Sequence, residues 1–146
     1  MRRTGGVGDN DSMRAWLMDG YEGVGKLRLA EVANPEPGPG EVLLRVRYAA
    51  LNPADAFLAQ GMYPAKPALP HILGRDGVGE VVAAGAGVER LKPGESVGIL
   101  RCDGGVNVRG TLAEMVVVPA ASTAPSGKSG GPGSPGAKTL ETGRRE

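Results

Sequence analysis

Cysteine is all but missing from this chain. Cys102 is the only one among 146 residues, so no intrachain disulfide can form and no multi-cysteine zinc site can be built. Aromatic residues are nearly as scarce: one Trp, three Tyr and one Phe. A core must therefore rest on Val, Leu, Ala and Ile, with Trp16, Tyr48, Phe57 and Tyr63 as its few large pieces. No apolar run approaches the roughly 18–20 residues needed to span a bilayer. Charge of one sign is also lacking, since 17 basic residues face 16 acidic ones for a net charge of +1. Nucleic acid or an anionic membrane surface as partner is thereby disfavoured, because both call for a one-signed patch. The opening MRRTGGVGDNDS has basic residues but no apolar stretch behind them, which excludes a secretory signal. A single thiol fits a reducing compartment, and a cytoplasmic location is the expectation.

What is present suits one domain of the usual size, about 100–150 residues. Residues 1–12 lack periodicity and read as a disordered leader. Lys26 to Val32 alternates and places Leu27, Leu29 and Glu31 on one face of a strand. The Pro- and Gly-rich stretch 34–40 cannot continue a sheet. In EVLLRVRYAAL, Val42, Leu44, Val46 and Tyr48 share one face, while Arg45 and Arg47 belong to a solvated one. PADAFLAQG reads as a short helix, with Asn52 as N-cap, Pro53 at the first helical position and Gly61 as stop. Gly77 to Ala84, Glu95 to Leu100 and Thr111 to Val118 read as further strands. Short strands at 8–12-residue spacing with one brief helix indicate a barrel or sandwich. No βαβ unit is present, so no doubly wound nucleotide domain is expected here.

From Thr123 on, Gly, Pro and Ser dominate and only Leu140 is large and apolar. Such a segment cannot offset its ordering entropy, and residues 123–146 are expected to be a disordered tail. The sudden loss of patterning after Pro119 suggests a shifted reading frame or a mispredicted gene end. Two phosphate-loop look-alikes and one dinucleotide-fingerprint look-alike fail on inspection. Gly20–Lys26 has Leu27 where a Ser or Thr is required, Gly127-Lys128-Ser129 lacks the first glycine, and Gly85-Ala86-Gly87 has no third glycine and no helix behind it.

An ordered set of motifs runs through nearly all of residues 13–120. It includes Pro37-Gly38-Pro39-Gly40-Glu41-Val42, Ala50-Leu51-Asn52-Pro53-Ala54-Asp55 and Gln60-Gly61-Met62-Tyr63-Pro64. It continues in Leu73-Gly74-Arg75-Asp76-Gly77-Val78-Gly79-Glu80 and Leu91-Lys92-Pro93-Gly94-Glu95-Ser96-Val97. In these stretches the chain resembles the N-terminal GroES-like domain of the medium-chain dehydrogenase/reductase superfamily, in its zinc-independent quinone oxidoreductase branch. The resemblance implies a mainly β fold for residues 13–122. This would be a GroES-like, partly open β-barrel with one short helix, with the family's C-terminal Rossmann domain absent.

The resemblance also implies a chemistry, the transfer of hydride from NADPH or NADH to a conjugated carbonyl of a quinone or enone. Zinc-dependent members carry a cysteine where Asn52 stands and a His-Glu pair where Arg75-Asp76 stands, so no metal is expected. Asn52 would face the nicotinamide and the substrate carbonyl, Asp55 would orient neighbours or help bind the cofactor, and Tyr63 would line the cleft mouth. Full-length relatives of this kind are expected to be homo-oligomeric. Phe57 departs from the Tyr common in relatives and removes a hydroxyl. The residues also have plainer readings: Asn52 as a cap, Asp55 as a first-turn carboxylate on the helix dipole, Tyr63 as a packed aromatic, His71 as a loop residue and Cys102 as a loop thiol. Two functions follow as expectations. One is the substrate side of an NAD(P)H-dependent reductase, inactive without its cofactor domain. The other is a non-catalytic GroES-like binding module.

Overall fold

The computed structural model describes residues 11–100 and 102–126. Its strands are β1 (Ser12–Leu17), β2 (Arg28–Ala33), β3 (Glu41–Ala50), β4 (Asp76–Ala84), β5 (Ser96–Ile99), β6 (Met115–Pro119) and β7 (Thr123–Pro125), with helix α1 (Pro53–Ala59) between β3 and β4. β1 and β2 form an antiparallel ribbon, and the others form an antiparallel sheet in the order β6-β3-β4-β5-β7. The segment before β6 joins the two. Trp16 N–H donates to the Leu112 carbonyl at 2.9 Å, and Glu114 N–H donates to the Arg14 carbonyl at 3.0 Å. The fold is mostly β with one short helix, and the wall stays open rather than closing into a barrel.

The core follows from the strand pattern. Val42 and Leu44 of β3 meet Val81, Val97, Val116 and Val118 in one buried cluster inside the sheet. Met18, Leu58, Ala59, Leu73 and Val106 make a second cluster beneath α1, and Met13, Ala15, Leu17 and Ile72 a third beneath the ribbon. Apart from Tyr63, the expected large core pieces do not fill these clusters. Trp16 is 43% exposed, Phe57 49% and Tyr48 77%. β3 outruns its cover after Val46, where its register against β4 also shifts, so Tyr48 projects past the packed part of the strand. On β2 the expected face is also reversed: Ala30 and Val32 pack inward, and Leu29 is half exposed.

Two domain boundaries move. The expected leader ends earlier, because Ser12 already pairs with Ala33. The expected tail begins later, because Thr123–Pro125 pairs with Val97–Ile99. Arg90 holds this last turn by donating to the Ala120 carbonyl and, at 3.0 Å, to Thr123 Oγ1. Composition hid the strand, since a single edge ladder and one long-range arginine suffice to order three residues. The remainder of the expected leader and tail, residues 1–10 and 127–146, lies outside the described residues. The last expected strand is shorter than Thr111–Val118, because the Thr111, Leu112 and Glu114 N–H groups turn to donate to Gly74, Leu73 and Arg14, while the Glu114 carbonyl still accepts the Val46 N–H of β3 at 2.9 Å.

His71, expected as a loop residue, lies outside the named strands and is buried. Its backbone bridges Met18 in both directions at 2.8–2.9 Å, and its Nε2 lies 3.0 Å from the Gly105 carbonyl. A carbonyl only accepts, so Nε2 carries the proton. Burial, aided by the nearby Arg109 charge, holds the imidazole below its usual titration range against the opposing pull of that carbonyl. The unfolded chain therefore takes up a proton near pH 6.5 that the folded chain resists, and stability is lost as pH falls through that value. The melting temperature should drop by about 2–5 °C between pH 7.5 and 5.5. His71→Gln, which keeps a donor and cannot titrate, should flatten that slope in a thermal-melt series. An unchanged slope would show that other groups control it.

Candidate functional site

Asn52 sits where β3 gives way to α1. It is the N-cap, with an extended backbone, and Pro53 follows at the first helical position. Asp55, three residues on, reaches back and accepts the Asn52 N–H on Oδ2 at 2.9 Å. This is the reciprocal geometry of a capping box. The other oxygen of Asp55, Oδ1, accepts the Gly74 N–H at 3.2 Å. Asp55 is 3% exposed, so this carboxylate ties the helix start to the segment that leads into β4.

That segment is pinned from its other side as well. Gly74 accepts the Thr111 N–H at 2.9 Å, and the Asp76 carbonyl accepts Thr111 Oγ1–H at 3.1 Å. Gly74 has φ +104°, a conformation that side chains rarely adopt, and a Cβ there would meet Thr111. Asp76 then opens β4 opposite Ala50 of β3. Its carboxylate accepts the Asn52 side-chain Nδ2–H at 2.6 Å, across 24 residues of sequence. An amide nitrogen has two hydrogens, so one remains for a ligand.

Asn52, Pro53, Ala54, Arg75, Asp76 and Cys102 line a cleft of about 320 Å³. A larger groove of about 1030 Å³ runs between the β1–β2 ribbon and β6, past Met13, Ile72, Met115 and Val117, and shares Arg75 and Cys102 with the cleft. Of the expected site residues, Asn52 lies in this cleft. Asp55 lies behind it, with each carboxylate oxygen accepting a backbone N–H of the chain. Tyr63, expected at the mouth, instead packs against the cluster under α1 and is not among the cleft-lining residues. Its loop folds back on the body of the domain: Tyr21 Oη–H donates to the Pro67 carbonyl at 2.8 Å, and Lys66 donates to the Gly61 and Tyr63 carbonyls while standing 5.2 Å over the Tyr21 ring.

These motifs and this topology have close counterparts. Residues 38–128 match the family described as the alcohol dehydrogenase GroES-like domain. The chain belongs to that family. This GroES-like domain is 41% identical over 113 residues to the rat synaptic vesicle membrane protein VAT-1 homolog, covering 76% of this chain and 26% of that protein. It is 44% identical over 77 residues to a quinone oxidoreductase of Pseudomonas aeruginosa, covering 53% of this chain and 23% of that enzyme. In three dimensions it superposes on the human VAT-1 homolog-like protein with a TM-score of 0.72 at 30% identity, over 82% of this chain and 37% of that one. The chain thus spans about a quarter of the length of the curated relatives it matches. The resemblance to the quinone oxidoreductase branch holds on these comparisons.

Three cleft residues were not legible as site residues in the sequence. In the sequence, Arg75 and Asp76 stand out only for the metal ligands they replace, and Cys102 only as a loop thiol. The signal for Arg75 and Asp76 is Leu73-Gly74-Arg75-Asp76-Gly77, whose charged pair between glycines marks backbone under tight constraint. The donor set does not suit zinc. Among the described residues, Asp76 and Cys102 are the only carboxylate and thiol lining the cleft, fewer than the three or four ligands zinc takes. Among the described residues no group of three His, Cys, Asp or Glu is gathered for a metal ion.

Proposed function

We propose that this GroES-like domain is the substrate side of a zinc-independent NAD(P)H-dependent reductase acting on quinones or enones. The observation that carries the reading is the Asn52 amide, held by Asp76 in a cleft and left with one N–H to give. Asp55, expected to help bind the cofactor, has both carboxylate oxygens engaged by backbone N–H groups. The described residues supply one wall, and NAD(P)H held elsewhere would supply the hydride. When hydride adds to the β-carbon of an enone, the C=C electrons move onto the carbonyl oxygen, and a proton added at the α-carbon completes a saturated ketone. The domain's task is to bind the carbonyl and to meet the oxygen where negative charge grows, which a pre-aimed N–H does without reorganisation. Asp55 fixes the turn on which Asn52 sits and so acts as a positioning residue. A cytoplasmic location belongs to the same proposal. Among the described residues no helix is long and apolar enough to cross a membrane.

A binding experiment on the 146-residue chain tests this reading. Duroquinone is the suitable probe, because its ring is fully substituted and the Cys102 thiol cannot replace a ring hydrogen. Asn52→Ala should weaken duroquinone binding about 5–10-fold, the worth of one hydrogen bond at a partly shielded site. Equal affinity of the two proteins by NMR titration would remove Asn52 from the role.

A second reading, a non-catalytic protein-binding module, has one observation in its favour. Tyr48 and Leu51, at 77% and 72% exposure, lie at the end of β3 just before Asn52. A stable complex with another protein whose affinity is unaffected by duroquinone would favour it over the reductase.

A further inference from the structure

We propose that Arg75 is the specificity-determining cation of this cleft, receiving a carboxylate carried by the substrate. This rests on the reductase reading above and extends it to a substrate class: conjugated ketones that bear an acid group and an apolar body, such as 4-oxo-2-enoates.

The charged side chains around the two cavities are not equivalent. Asp76 is engaged by Asn52, Glu41 accepts the Gly38 N–H at 3.0 Å, and Arg109 leans on the Pro70 carbonyl at 3.5 Å. Asp103, exposed on the outer loop, has no partner among the described residues, and neither does Arg75. Arg75 differs from Asp103 in where it stands. It is half-buried and lines both the cleft that holds Asn52 and the groove floored by Ile72, Met115 and Val116. A guanidinium beside apolar walls has lost part of its water, so an incoming oxyanion gains more there than at an open surface.

The backbone under Arg75 is already fixed. Gly74 is bonded to Asp55 and Thr111, and Asp76 is bonded to Thr111. Binding therefore orders a side chain and no loop, which keeps the cost of recognition small. The guanidinium fork also matches the two oxygens of a carboxylate. A nucleotide phosphate would present the same oxyanion chemistry. The Ile72, Met115 and Val116 side of the groove that continues from Arg75 suits a hydrocarbon body, which a substrate acid carries and a pyrophosphate lacks, so the assignment is to a substrate acid.

The probes are 4-oxo-4-phenylbutanoate, its methyl ester and inorganic pyrophosphate, titrated into the full chain and followed by NMR. The first two are saturated, like the product of enone reduction, and cannot alkylate Cys102. The acid should bind at least about 10-fold more tightly than the ester, as expected for a charge-assisted pair. Arg75→Gln should bring that ratio close to one with the ester's affinity kept within about twofold. Arg75→Lys should retain part of the preference, since it keeps the charge and loses the fork. Arg109→Gln should leave the ratio intact.

Three results would overturn the assignment while leaving the reductase reading in place. They are equal binding of acid and ester, a preference that survives Arg75→Gln or disappears with Arg109→Gln, and pyrophosphate binding more tightly than the acid in an Arg75-dependent way. If neither ketone perturbs Asn52 and Asp76, the reductase reading itself fails and takes this one with it.

Discussion

Replacing Asp55 by alanine should destabilise the domain by about 2–4 kcal/mol, among the largest effects of any single polar substitution in it. The carboxylate is buried and accepts two backbone N–H groups, one from Asn52 and one from Gly74. Alanine leaves both donors without a partner where water has little access, and each such orphan costs about 1–3 kcal/mol. The effect is also local to the cleft, because those two backbone groups carry Asn52 on one side and Arg75-Asp76 on the other. Asp55→Asn should lose roughly half as much, since its one carbonyl oxygen can still serve one of the two donors. Urea unfolding of the three proteins measures this directly. A loss under about 0.5 kcal/mol for Asp55→Ala, the range of an ordinary surface change, would show that the clamp is dispensable.

Gly110→Ala should be at least as damaging, by a different physical route. A Cβ at Gly110 would collide with the Gly74 carbonyl oxygen and come within 2.6 Å of Gly105 Cα and 2.7 Å of the Leu73 carbonyl oxygen. All of these are backbone atoms, which no side-chain rotation can move aside. The Gly110 N–H meanwhile donates to the Ile72 carbonyl at 2.8 Å, so the contact is held from within. The loop carrying Cys102 must then lift away from the segment carrying Arg75 and Asp76. A cost of about 2–4 kcal/mol or a failure to fold is expected. Gly25→Ala serves as the control, because nothing lies within 4 Å of its Cβ position. It should stay within about 0.5 kcal/mol of the parent. If both substitutions were equally mild, the three-glycine packing of Gly74, Gly105 and Gly110 would not be holding the cleft.

The contrast between these glycines and the rest of the chain shows what sequence alone could and could not yield. Alternation placed β3, and N-cap followed by proline placed α1, because both signals are local and involve neighbours a few residues apart. The family motifs placed Asn52 at the cleft. They could not show that its amide would meet Asp76, since that contact spans 24 residues. Nor could they show that Asp55 would spend its second oxygen on Gly74, which makes it part of the support rather than of the binding surface. Tyr48 misled because the alternating pattern continues after the cover over the strand has ended. His71 follows a proline and has no evident partner in the nearby sequence, yet its Gly105 partner arrives from 34 residues away. Thr123–Pro125 read as tail because composition registers no edge pairing.

The proposed reductase role gives this domain a carbonyl-binding wall whose hydride donor is held elsewhere. It is tested most directly by titrating the 146-residue chain with duroquinone and with NADPH while recording backbone and side-chain amide spectra. Saturable quinone binding is expected, with the largest shifts at Asn52, Ala54, Asp76 and the Asn52 side-chain NH2, and no NADPH binding at micromolar concentration. Micromolar NADPH binding by this chain, or quinone shifts confined to residues remote from Asn52, would contradict it.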